Sequence, residues 1–290
     1  MTTAIENKAV ALSMESLREE GFEVTVLSPD DQGVVSVERV DRALRPDTVL
    51  VSVMAANGEI GTLEPIPGIG ARCRARGILF HTDATQTVGK LPVDVAAYAC
   101  DLLSLSAHKF HGPKGVGALY LRRGVAVEPL FSGGGQERGL RSGTLNVAGI
   151  VGLGETCRLR AEEMRAEAER VSALRDRLLE RIEAAIPEVV LNGPRRRRLP
   201  GNLNLSFPRC EGEALLTALD EFALSTGSAC QSGAAEPSEV LLAIGRGPNL
   251  ARGSVRFGLG RSTTPEIIDR LADRLVVEVR RLQALAPEEL

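Results

Sequence analysis

The stretch Asp101-Leu-Leu-Ser-Leu-Ser-Ala-His-Lys-Phe-His-Gly-Pro-Lys-Gly115 sets the frame for the whole chain. A short apolar strand, residues 101–106, breaks off into a histidine, a lysine and a Gly-Pro turn. Upstream the same design recurs: Gly77-Ile-Leu-Phe80 leads to Asp83, and Thr48-Val-Leu-Val-Ser-Val53 leads to Asn57. Asn57, Asp83 and Lys109 stand 26 residues apart, a length that suits a repeated strand–helix–strand unit. Short apolar runs of this kind read as strands covered on both faces. Phe22–Leu27 adds a strand after a helix that breaks at Gly21, and Val37–Leu44 a second helix. Ile69–Ala75 and Val93–Ala99 suit crossover helices. The pattern predicts an α/β fold with a mostly parallel sheet. Ligands of such sheets bind beyond the carboxyl ends of the strands, where the three polar residues fall.

At 290 residues the chain has room for one large domain or two modest ones. With 43% hydrophobic and 25% charged residues it has an ordinary globular balance. A net charge of −3 argues against a general nucleic-acid binder. No apolar run approaches the roughly 20 residues that cross a bilayer. The start, MTTAIENKAV, lacks the basic region and apolar core of a signal peptide, so the expected compartment is the cytoplasm. The five cysteines are odd in number and form no C-x-x-C pair, which speaks against a disulfide framework or a zinc ribbon.

From about Val151 the character changes. Met164, Val171, Leu174, Leu178 and Ile182 fall at helical spacing and predict a long amphipathic connector ending before Pro187. Strands over Leu203–Phe207 and Ser254–Phe257 follow, with a helix over Glu213–Leu219 between them. Thr264-Pro265-Glu266 opens the last helix with a cap and an N1 proline. These segments predict a large domain over 1–155 and a smaller α+β domain over 156–290. Arg195–Arg198 reads as a solvated loop, with contact to an acidic partner as the alternative.

Several side chains carry chemistry. Asp83 can pair with a protonated pyridinium, or cap a helix. Ser106 and His108 can donate to a phosphate, and Lys109 can form a Schiff base with an aldehyde. Gly112-Pro-Lys-Gly115 is not a P-loop, and His108 and His111 have no carboxylate motif beside them, so metal ligation is not expected. The glycine-rich loop Ser132–Thr144 can cradle a phosphate but lacks the dinucleotide spacing. Cys230, in Ser225-Thr-Gly-Ser-Ala-Cys-Gln-Ser-Gly233, has the small polar neighbours of an exposed, reactive thiol. Cys73, Cys100, Cys157 and Cys210 sit in or beside apolar segments and read as small buried hydrophobes. Arg256 in a strand interior suits a fork for a carboxylate or a structural ion pair.

Together, Asn57-Gly-Glu-Ile-Gly61, His81-Thr-Asp-Ala-Thr-Gln86, Ser106-Ala-His-Lys109, Gly133-Gly-Gly-Gln-Glu-Arg-Gly-Leu-Arg-Ser-Gly-Thr144 and Ser228-Ala-Cys230 resemble the cysteine desulfurases of the NifS/IscS type. The likeness runs from Thr2 to the last helix and implies the aspartate-aminotransferase-like fold, with pyridoxal 5'-phosphate (PLP) as cofactor. It implies that Lys109 carries PLP and moves the substrate α-proton, that Asp83 pairs with the pyridinium nitrogen, and that Gln86 meets the ring oxygen. Ser106 and His108 would hold the phosphate, and Thr144 would reach the phosphate of the neighbouring subunit in a homodimer. Asn57 and Arg256 would bind the carboxylate of L-cysteine. Cys230 would take the sulfur as a persulfide, leaving L-alanine, and pass it to an iron–sulfur scaffold or a thiolation protein. Cys230 could also ligate an iron–sulfur cluster transiently.

Four departures from the family pattern stand out. Family members carry a further segment before the position of Thr2, with a Gly-Thr turn for the cofactor phosphate. Met1 stands where the family motif has valine, as a GTG codon read as a start would give. Asn7 replaces a histidine that stacks on the cofactor, and Gly58 replaces a common asparagine. The alternatives are another PLP lyase of the same fold, such as a selenocysteine lyase, or a non-catalytic relic that dimerises and binds sulfur acceptors.

Overall fold

Leucine-rich and β-branched runs bounded by turns fit a pleated surface, while Asn, Ser and Thr ahead of periodic segments start helices. A computed structural model describes residues 1–227 and 236–286. Its first part runs β1 (Thr2–Thr3), α1 (Lys8–Glu19), β2 (Val26–Leu27), α2 (Val37–Ala43), β3 (Leu50–Ser52), α3 (Ile66–Ala75), β4 (Leu79–Asp83), β5 (Leu102–Ser106) and β6 (Gly117–Leu121). Then come α4 (Val147–Ala185), β7 (Val190–Leu191), β8 (Asn202–Ser206), α5 (Gly212–Ala218), α6 (Glu239–Ala243), α7 (Pro248–Arg252), β9 (Ser254–Gly258) and α8 (Pro265–Leu285).

Strands β3, β4 and β5 pair in parallel, and β6 closes the edge antiparallel, in the order β3-β4-β5-β6. Strand β1 pairs in parallel with β2. Ser52 N donates to the Met1 carbonyl at 2.9 Å, which stitches this pair to β3. The expected mostly parallel α/β sheet is present, and β7, β8 and β9 form the antiparallel sheet of the expected α+β part.

Burial along β4 alternates: Phe80 and Thr82 are buried, while Leu79, His81 and Asp83 are half-buried. The half-open face carries a polar row. His81 shares hydrogen bonds with Ser52 Oγ at 2.7 Å and Ser104 Oγ at 2.6 Å, so three strands satisfy each other's polar groups there. The strands are therefore not fully covered on both faces.

Two cores flank the molecule's middle. Val51, Val53, Ile66, Ile69, Phe80 and Leu103 fill the space under the parallel sheet. Leu178 and Ile182 of α4 pack with Leu203, Leu205, Phe257 and Leu275 to form the other. A small cluster joins Ile60, next to the Asn57 turn, to Leu241, Ile244 and Ala251. Helix α4 spans 39 residues and runs through the 155/156 position.

Several expectations need correction. Residues 93–99 form turns rather than a crossover helix. Asp94 Oδ1 accepts from Ala96 N and Ala97 N, at 2.8 and 3.2 Å, and Ala99 adopts a left-handed φ of 52°, so the turn cannot propagate. Of Phe22–Leu27 only Val26 and Leu27 pair as a strand. Cys157 is exposed on α4 rather than buried. Within the arginine run, Arg195, Arg196 and Arg197 are exposed but Arg198 is 4% exposed. Its guanidinium donates to the carbonyls of Asn202, Pro194 and Ile60. It braces the fold, and burial pushes its pKa down to about 9.

Candidate active site

Strand β5 ends in a 3₁₀ turn, Ala107–Phe110, that carries Lys109. Ala107 and Phe110 are buried and anchor the turn. Gly112 N donates to the Ala107 carbonyl at 2.8 Å, and His111 takes a left-handed φ of 76°. Lys109 is half-buried and faces a cleft of about 680 Å³ between the two cores. Gln86 and Lys90 come from the turn after β4, Arg160 from α4, and Asn202 and Arg256 from the C-terminal sheet.

The structure thus brings Gln86, Lys109 and Arg256 into one cleft. Arg256 Nε donates to Ser225 Oγ at 3.1 Å and Nη1 to the Gly58 carbonyl at 3.2 Å, which aims the guanidinium across the two halves. Asp83 ends β4, and its Oδ1 accepts from Thr85 N at 2.9 Å. Because Asp83 pairs with Ser104 in register, Asp83, Ser104 and Ser106 project from one sheet face. Ser106 Oγ shares a hydrogen bond with His108 Nδ1 at 2.9 Å on the exposed side of that face.

Asn57 and Thr144 are not among the residues that line the cleft. Asn57 is 3% exposed, and its amide is engaged inside the chain. Its Oδ1 accepts from Glu59 N and Ile60 N, at 2.8 and 3.0 Å, and its Nδ2 donates to the Ile5 carbonyl at 2.9 Å. Those bonds hold the turn whose Gly58 lines the cleft. Thr144 is exposed in the glycine-rich loop. Asn7 caps α1, accepting from Ala9 N at 3.0 Å. Cys230 lies outside the described residues.

Two groups escaped the sequence reading. Lys90 donates to Gln86 Oε1 at 2.8 Å. Burial first, then the charges of Lys109, Arg256 and Arg160, push its amine down to about 8. Its only sequence signal was the four-residue spacing from Gln86. The second is Glu6, whose Oε1 accepts from Thr3 Oγ1 and Met54 N, both at 2.9 Å. Its Oε2 has no partner among the described residues. Burial raises this carboxyl to about 8, and the charge of Asp83 adds to the rise.

The residues fit PLP by the chemistry of their donors. An amine, an amide and a guanidinium share the cleft, and a carboxylate and a hydroxyl–imidazole pair stand at the ends of adjacent strands. Among the described residues no cluster of His, Cys, Asp or Glu could hold a metal ion, and no helix is long and apolar enough to cross a membrane.

The sequence profile of aminotransferase class-V matches residues 1–271. A cysteine desulfurase of Mus musculus is 50% identical over 289 residues, covering 99% of this chain and 63% of the relative. The chain therefore spans just under two thirds of that relative's length. The cysteine desulfurase IscS of Stutzerimonas stutzeri is 51% identical over 99% of this chain and 71% of its own length. A solved NifS-like protein superposes with a TM-score of 0.89 at 37% identity, over 97% of this chain and 74% of that one. With its lysine turn, its cleft and these likenesses, the chain belongs to the PLP-dependent aminotransferase class-V family, within its NifS/IscS type.

Proposed function

We propose that this protein is a PLP-dependent cysteine desulfurase that converts L-cysteine to L-alanine and keeps the sulfur as a persulfide on Cys230. The observation that carries the reading is the meeting of Lys109, Gln86 and Arg256 in one cleft from three separate elements. The NifS/IscS likeness of the whole chain supports it.

When bound, PLP withdraws electrons from the α-carbon of the amino acid. Lys109 Nζ would hold the cofactor and carry the α-proton. Asp83 would face the ring nitrogen, Gln86 the ring oxygen, and Ser106 with His108 the phosphate. Arg256 offers a planar fork to the substrate carboxylate. Asn57 serves that carboxylate by shaping the Gly58 wall of the cleft, or by exchanging its present bonds. The Cys230 thiolate attacks the substrate sulfur. An S–S bond forms, the C–S bond breaks with its electron pair going to the carbon side, and that carbon takes a proton. L-cysteine and the Cys230 thiol thus become L-alanine and the Cys230 persulfide, which serves a sulfur-accepting or iron–sulfur scaffold protein.

The proposed active unit is a homodimer with Thr144 reaching across. Leu130, Phe131, Val147 and Val151 flank the glycine-rich loop at 86, 59, 65 and 65% exposure. Apolar side chains grouped this way mark an interface. The proposed compartment is the cytoplasm: Cys73, Cys100, Cys157 and Cys210 are all unpaired thiols, as a reducing compartment keeps them.

The test is to purify the chain with PLP, look for a visible absorbance band removed by borohydride, and assay alanine and sulfide from L-cysteine. A band with turnover that Cys230→Ser abolishes is the expected result. Absence of the band overturns the cofactor assignment, and undiminished sulfur release by Cys230→Ser overturns the nucleophile.

A further inference from the structure

Gln86 and Lys90 sit four residues apart on a tight turn. Val88 N donates to the Ala84 carbonyl at 2.9 Å and Lys90 N to the Thr87 carbonyl at 3.0 Å, so the two side chains stack one above the other. Lys90 Nζ donates to Gln86 Oε1 at 2.8 Å. An ammonium has donors only, whereas a side-chain amide has a donor end and an acceptor end. The bond therefore selects one of the two orientations of the Gln86 amide. With Oε1 turned to Lys90, Nε2 remains as a donor on the cleft side. It lies over Gly58, where a Cβ would stand 2.8 Å from it, and Gly58, Gln86 and Lys109 line the same cleft.

The turn that holds Lys90 is itself fixed to the Lys109 turn. Gly89 adopts a φ of 73°, and a Cβ there would come within 2.6 Å of Phe110 Cβ. Arg160 Nε donates to the Gly89 carbonyl at 2.8 Å, pinning the turn from α4. Lys90 is thus delivered to Gln86 by backbone anchored on both sides.

We propose that Lys90 is a positioning residue: it orients the Gln86 amide so that Nε2 donates to the ring oxygen of PLP. The proposal rests on the PLP reading of the cleft. A neutral apolar side chain would fill the same volume without the cost of burying an amine, and that cost is visible in the lowered pKa of Lys90. Orientation of the amide is what the charge adds.

The test measures the dissociation constant of the 290-residue chain for PLP and for the PLP analogue that lacks the ring hydroxyl. The variants are Lys90→Met, Lys90→Gln, Gln86→Ala and Lys90→Met/Gln86→Ala, with thermal melts of the cofactor-free chains as folding controls. Lys90→Met is expected to weaken PLP about fivefold, the scale of one net hydrogen bond. Lys90→Gln, which keeps an N–H donor, recovers part of the loss and stands in should Lys90→Met fail to fold. The double variant binds no more weakly than Gln86→Ala, and the Lys90→Met penalty vanishes with the analogue. A Lys90→Met penalty that persists with the analogue, or adds fully to that of Gln86→Ala, overturns the proposal. Unchanged PLP binding by a folded Lys90→Met overturns it while leaving the cofactor reading intact. A wild-type chain that binds no PLP overturns both.

Discussion

Asn57 and Ile5 are 52 positions apart, and the Asn57 Nδ2 donates to the Ile5 carbonyl at 2.9 Å. This bond ties the loop after β3 to the loop before α1. On its other side the same amide accepts two backbone N–H groups of its own turn, so one side chain holds two segments of connecting backbone in place. Truncation leaves three buried backbone groups without partners. Asn57→Ala is expected to lower unfolding free energy by about 2–4 kcal/mol, read from urea denaturation. A loss under about 0.5 kcal/mol would show that the turn holds without it.

Two buried carboxyls should make the protein more stable in mild acid than at pH 8. Glu6 and Glu64 are each raised from 4.5 to about 8, chiefly by burial. Between those values the folded state binds more protons than the unfolded chain. The stability they contribute is fully present below about pH 4.5 and is lost as pH rises toward 8. Urea denaturation at pH 5 and pH 8 should show the fall, and Glu6→Gln should flatten it by about 2–4 kcal/mol. An unchanged slope in Glu6→Gln would exclude Glu6 as a source.

Arg256 reaches Ser225 and Gly58 from opposite sides and faces the cleft. If its fork holds the substrate carboxylate, Arg256→Lys keeps the charge but loses the paired geometry. KM for L-cysteine should then rise roughly tenfold or more, with kcat changing less, because the carboxylate is bound alike before and during reaction. Steady-state kinetics with saturating PLP decide it, and an unchanged KM would refute the assignment.

The arginine run should split cleanly by burial. Arg198→Met removes donors from two buried carbonyls and a part-buried one and is expected to cost about 2–4 kcal/mol. Arg196→Ala and Arg197→Ala, both exposed, should stay within about 0.5 kcal/mol of wild type in the same denaturation series. Equal effects across the run would contradict the brace.

Much of the large-scale organisation was readable in the residues. The runs ending near Ser52, Asp83 and Ser106 form three parallel strands, as their short apolar patterning and regular spacing predict. The Thr264-Pro265 pair started α8, with Thr264 Oγ1 accepting from Ile267 N. Residues 93–99 misled because Asp94 captured the amides that a helix would have used. Strands β1 and β6 were missed because two residues carry no periodicity, and because β6 has exposed Gly117, Ala118 and Leu119 at its start.

Motif chemistry is local, so Lys109, Asp83, Gln86, Ser106 and His108 could be singled out as candidates from their neighbours in the chain. What those neighbours could not supply is which long-range partner uses each polar group. Asn57, named for the substrate carboxylate, also tethers Ile5, Arg198 looked solvated and became a brace, and Lys90 was overlooked until folding brought it to Gln86. The physical reason is common to all three. A side chain's role follows from burial and from the atoms within hydrogen-bond reach, and both are fixed by packing between segments distant in sequence.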